Sequence, residues 1–219
     1  MALLRWTASM KTLISGAKYS PTFIMAHGAG APMDSDWMNS VAKGISSHHI
    51  RVVRFEFPYM QERRISGTKR PPNSKSILIQ AWDQIIEREL AKGHQVYIGG
   101  KSMGGRIASM VADQHDVSGC IVLGFPFHAP GKAPGDRILH LAKLKTPSVI
   151  IQGTRDTMGS QQECSLYDLS KKIRFHWLED GDHSFKPRKK SGLTQEEHIE
   201  SAINAIVHFI KGSQVPERY

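Results

Sequence analysis

Short apolar runs alternate along this chain with longer stretches in which apolar residues recur every three or four positions, a pattern that predicts strands interleaved with helices. The strand-like runs are Thr22–Ala26, Arg51–Phe55, Val96–Ile98, Gly119–Leu123, Val149–Gln152 and Ile173–Leu178, most of them rich in β-branched and aromatic residues. Helical spacing covers Asp36–Ser47 and Lys75–Lys92. The second has Ile77, Leu78, Ala81, Trp82, Ile85, Ile86 and Leu90 at apolar positions, Ser74 as its N-cap and Gly93 as its stop. A helix is also expected directly after Ser102, a short one near Arg137–Ala142, and two more at Gln161–Leu169 and Thr194–Lys211, where Glu197 stands three residues after the capping Thr194. Residues 1–20 read as a leading segment with a strand or hairpin around Thr12–Ser15. Such alternation builds a mostly parallel sheet covered on both faces. With no linker, internal repeat or low-complexity tract, the 219 residues are expected to form one α/β domain.

The run at Val96 leads straight into Gly100-Lys101-Ser102-Met103-Gly104 and then into helical spacing. A serine flanked in this way sits on a tight strand-to-helix turn, with Gly100 and Gly104 leaving room where a Cβ would collide. The hydroxyl of Ser102 is lifted clear of the sheet, and the N–H of Met103 points to where an oxyanion would form. Asp156 follows the Val149–Gln152 strand, and His183 follows Ile173–Leu178. Functional crevices of open α/β sheets lie at the carboxyl ends of the strands, so nucleophile, acid and base are expected at one edge. Asp180 and Asp182 are nearer to His183 in sequence, but immediate neighbours point in other directions, which leaves Asp156 as its expected partner. The loop His27-Gly28-Ala29-Gly30-Ala31-Pro32 follows the first buried strand and is expected to supply a second oxyanion donor, the N–H of Ala29.

These segments resemble the α/β-hydrolase superfamily, and within it the small lidless hydrolases of the dienelactone-hydrolase-like, testis-expressed 30-like branch. The likeness is carried by AHGAGAPMDS from Ala26, GGKSMGGR from Gly99, GFPFHAPGKAP from Gly124, QGTRD from Gln152 and DGDHSFKPRKKSG from Asp180. It implies an α/β-hydrolase fold and a triad of Ser102, Asp156 and His183. Dienelactone hydrolases proper use a cysteine nucleophile, whereas this chain has Ser102.

The stretch where many lipases insert a helical lid, Phe125 to His140, is short, so the cleft is expected to be open and suited to small or polar acyl esters. His27, Gly28, Tyr59, Lys101 and His128 are expected to line it, with Tyr59 on a loop after the Phe55–Pro58 segment. The formal net charge of +9 is concentrated in Arg63, Arg64, Lys69 and Arg70 and in Lys186, Arg188, Lys189 and Lys190, read as solvated loops. No nucleic-acid-binding motif accompanies them, so the expected partner is a small ester. No apolar run approaches the ~18 residues of a membrane span, the leading segment lacks the apolar core of a secretory signal, and the two cysteines form no disulfide pattern. A soluble cytoplasmic enzyme without cofactor or metal is the expectation. The alternative is an α/β-hydrolase-fold interaction module without turnover.

Overall fold

In the computed structural model, which describes residues 10–212, the apolar runs form one seven-stranded sheet. Its strands are β1 (Thr12–Ser15), β2 (Thr22–Ala26), β3 (Arg51–Phe55), β4 (Val96–Lys101), β5 (Gly119–Leu123), β6 (Ser148–Gly153) and β7 (Ile173–Leu178). The helices are α1 (Asp36–Ser46), α2 (Pro58–Ser66), α3 (Lys75–Leu90), α4 (Met103–Val111), α5 (Gln161–Cys164) and α6 (Gln195–Lys211). Residues 1–9 of the leading segment lie outside the described residues.

The strands lie in the order β1-β3-β2-β4-β5-β6-β7, with β1 antiparallel to β3 and the rest parallel. The leading strand therefore pairs with β3 and not in a hairpin with β2. Along β2, Phe23 and Met25 pack with α1 and α6 through Met38, Val41, Ile45 and Ile206. Ile24 and Ala26 face the other way, toward Trp82, Ile85, Ile107 and Val111 of α3 and α4. Both faces of the central strands are covered, which is why these runs read as continuously apolar. The parallel register sets Ala26 beside Gly100, Lys101 beside Leu123 and Gly153 beside Leu178, so the loops carrying chemistry leave the sheet at one edge.

Several expected boundaries shift. The long helix stops at Leu90 with Gly93 in left-handed backbone beyond it, and Glu89 is buried where Ile77 is partly exposed. A carboxylate is tolerated there because Glu89 accepts a 2.6 Å bond from buried Arg51 and one from Lys92. Ser74 does cap α3 by position, but its hydroxyl bonds Ser76. The Arg137–Ala142 helix is replaced by two 3-10 turns, Gly135–Arg137 and Leu141–Lys143, with Leu139 exposed between them. The helix from Gln161 ends at Cys164, because Ser165 and Leu166 beyond it have no buried face to extend. In the other direction, α2 occupies a stretch read as loop. Its signal is Pro58 at the first helical turn, where a missing N–H costs nothing.

Candidate active site

Ser102 stands between β4 and α4 with φ 52° and ψ −117°, outside the regions a residue with a Cβ adopts without strain. The turn is possible because its neighbours are bare: a Cβ on Gly100 would lie 2.1 Å from Ala26 O, and one on Gly104 would lie 2.5 Å from His27 O. Ser102 Oγ lies 2.9 Å from Nε2 of His183, whose Nδ1 lies 2.7 Å from Oδ2 of Asp156. Three residues far apart in sequence are thus joined in one hydrogen-bonded line.

Asp156 is fully buried, and both of its oxygens are hydrogen-bonded. Oδ2 also accepts from Nε2 of Gln152 at 2.9 Å, and Oδ1 accepts from the Met158 N–H at 2.8 Å. Gln152, the penultimate residue of β6, further bonds both the N–H and the carbonyl of Phe125. It ties the acid loop to the loop after β5, a role that a lone glutamine in a β-branched run does not advertise. The nearer acids serve elsewhere. Asp182 accepts from the N–H groups of Ser184 and Lys186, shaping the turn that presents His183. Asp180 is held by Arg188 and Arg155, and the Arg188 hydrogen bonds keep its carboxyl well below the usual range.

The loop after β2 packs its backbone over Ser102: a Cβ on Gly28 would lie 3.7 Å from the Cβ of Ser102. His27 is fully buried, and it fixes this loop rather than lining the cleft. Its Nε2 accepts the Phe57 N–H at 3.2 Å, so Nδ1 carries the hydrogen and donates to the Gly28 carbonyl at 2.7 Å. Burial lowers the pKa of its imidazole. Tyr59, expected on a loop at the cleft, braces the same segment instead. It lies on α2, is buried, and donates to the carbonyl of Ala29 at 3.0 Å, with that of Gly28 at 3.4 Å. Burial also raises the pKa of its phenol. The Gly28–Ala29 peptide is trans, so with its carbonyl drawn toward these two rings the N–H of Ala29 points the opposite way. That N–H and the N–H of Met103 donate to no protein acceptor among the described residues.

A family model described as alpha/beta hydrolase domain matches residues 19–211. The chain belongs to that family. Three solved structures illustrate the likeness of fold. A lidless α/β serine hydrolase from Xanthomonas campestris is 17% identical with a TM-score of 0.62, covering 94% of this chain and 90% of that one. A dienelactone hydrolase from Anabaena variabilis is 19% identical with a TM-score of 0.67, covering 92% of each chain. Est1E from Butyrivibrio proteoclasticus, solved with ferulic acid bound, is 13% identical with a TM-score of 0.66, covering 93% of this chain and 94% of that one.

In this α/β hydrolase the remaining expected lining residues also turn away from the cleft. His128 is buried, with Nδ1 2.9 Å from the Ala129 carbonyl and Nε2 3.3 Å from Glu163. Lys101 directs its ammonium inward to the carbonyl of His183. Of the five, Gly28 is the one whose backbone faces Ser102. The basic clusters are not simply solvated loops. Arg63 and Arg64 belong to α2, where Arg64 grips Glu56 and Asp34, while Arg188 grips Asp180. Among the described residues no cluster of His, Cys, Asp and Glu is placed to hold a metal ion, and no helix is long and apolar enough to cross a membrane.

Proposed function

We propose that this α/β hydrolase is a serine hydrolase that cleaves small or polar carboxylic esters through an acyl-enzyme. The observation that carries the reading is the line Asp156 Oδ2, His183 Nδ1, His183 Nε2, Ser102 Oγ, with links of 2.7 and 2.9 Å, together with two backbone N–H groups, of Ala29 and Met103, that donate to no protein acceptor among the described residues. His183 takes the Ser102 proton as Oγ attacks the carbonyl carbon, and Asp156 fixes the tautomer and stabilises the imidazolium. The N–H groups of Ala29 and Met103 receive the oxyanion. The imidazolium then protonates the departing alcohol, and water activated by the same histidine releases the acid. Treatment with a fluorophosphonate should label Ser102, and Ser102→Ala should abolish both labelling and ester turnover, a loss on the order of 10⁶ in rate. An unlabelled wild-type protein without turnover would leave the interaction-module alternative.

The acyl preference follows from the loop after β5. Residues 125–140 hold one single-turn 3-10 segment and no α-helix, so no helical lid rises from this stretch. Acetyl and butyryl esters should give higher kcat/KM than esters of long chains, which a helical lid over this stretch would otherwise help to cover. Rates that climb with chain length to a dodecanoyl ester would contradict this.

A further inference from the structure

Lys101 is half-buried, and its side chain turns back behind the catalytic line. Nζ donates to the backbone carbonyl of His183 at 2.5 Å and lies 5.7 Å from the ring centre of Trp37 and 5.5 Å from that of Phe185. It makes no ion pair among the described residues; the charged groups that act on it are Asp156 and Asp182, one from each loop that frames His183. A lysine ammonium taken out of water without a paired carboxylate is costly, so some interaction has to hold it there. Two aromatic faces and a charge-assisted hydrogen bond do so. Gly124 makes the room: a Cβ there would lie 2.7 Å from Nζ and 3.4 Å from Cε1 of His183, so lysine and imidazole face the same small space.

We infer that Lys101 is a positioning residue for His183, its ammonium holding the histidine's own peptide so that the imidazole stays aligned between Asp156 and Ser102. The assignment rests on the hydrolase reading for its effect on rate, but the contact itself does not depend on turnover. A charge-assisted bond is roughly twice as strong as a neutral one, so loss of the ammonium's proton should loosen the loop. Burial brings the pKa of that proton down to about 8, within reach of experiment.

The test combines kinetics with histidine NMR on the whole protein, using Lys101→Met and Lys101→Gln in parallel in case one fails to fold. Lys101→Met should lower kcat about ten- to hundredfold at pH 7 with KM little changed. Lys101→Gln, a neutral donor, should fall between it and wild type. Wild-type kcat should decline through a step near pH 8 that both variants lack. The Cε1–H resonance of His183 should register the same step in wild type and not in the variants, whether or not an ester is cleaved. Superposable pH profiles and no resonance step near pH 8 in wild type would overturn the inference. A resonance step in a protein that cleaves no ester would sustain the contact and sink the hydrolase reading instead.

Discussion

Which carboxylate serves His183 is decided by chain direction rather than by nearness in sequence. Asp156 lies 27 positions away and meets Nδ1 at 2.7 Å, whereas Asp182, the adjacent residue, turns its oxygen back onto Ser184 and Lys186. Asp156→Asn should therefore lower kcat by roughly 10⁴ by favouring the wrong tautomer. Asp182→Asn should cost far less, since an amide oxygen can still accept the two N–H bonds of the turn. Equal losses in steady-state kinetics would mean that turn geometry, not tautomer control, limits the reaction. The meeting of Ser102, Asp156 and His183 was readable because each follows a strand-like run, and a parallel sheet sends all such ends to one edge. The directions of Tyr59, Lys101 and His128 were not readable. Residue type says that a side chain is polar and the loop says that it is near, but only packing decides whether it faces the cleft or the protein behind it.

At the level of elements, α2 is the part that the pattern concealed, and it supports the loop over Ser102. Its first turn supplies Tyr59 to the Ala29 carbonyl, and its last turn supplies Arg64 to Glu56, which accepts the Met33 N–H at 3.2 Å. The helix thus holds the loop after β2 at both ends. Its polar, basic outer face hides the periodicity, since only Tyr59 and Met60 are buried. Tyr59→Phe removes one donor while keeping the ring against His27, so kcat should fall by up to about tenfold with KM nearly constant. An unchanged kcat would show that the His27 bond alone fixes the Gly28–Ala29 peptide. The capping box of α6 was plain from its spacing: Thr194 accepts from Glu197 N–H, and Glu197 accepts from Thr194 N–H. Local hydrogen bonding is legible in sequence, whereas a helix defined by what it braces is not.

For the molecule as a whole, burial of histidines sets an acid limit. His27, His140 and His176 have lowered pKa values, desolvation being the main cause, and His140 is pushed down to about 4. At pH 7 each is mostly neutral whether the chain is folded or not. Below about 6.5 the unfolded chain takes up protons that the folded one refuses, so stability falls as pH falls from there toward about 4. Carboxylates such as Asp34 and Asp113, whose pKa values are lowered in the fold, add their own loss further down, below the ordinary carboxylate range. The urea midpoint should thus already decline between pH 6.5 and 4. His140→Gln, which keeps a polar partner for Ser109, should flatten part of that slope. A midpoint that is constant over this range would show that these three imidazoles do not govern acid stability.

The backbone of Ser102 carries a further implication for how reactivity and durability trade against each other. A residue held at φ 52° and ψ −117° stores on the order of 1–3 kcal/mol. Glycine would release most of that strain, while its freer unfolded chain costs only about 0.4–1 kcal/mol. Ser102→Gly should therefore melt at a higher temperature than Ser102→Ala, and above the wild type itself, a ranking that differential scanning calorimetry can settle. On the hydrolase reading proposed above, the fold would be sturdier without its nucleophile, and the chain sits below the stability that its own architecture permits.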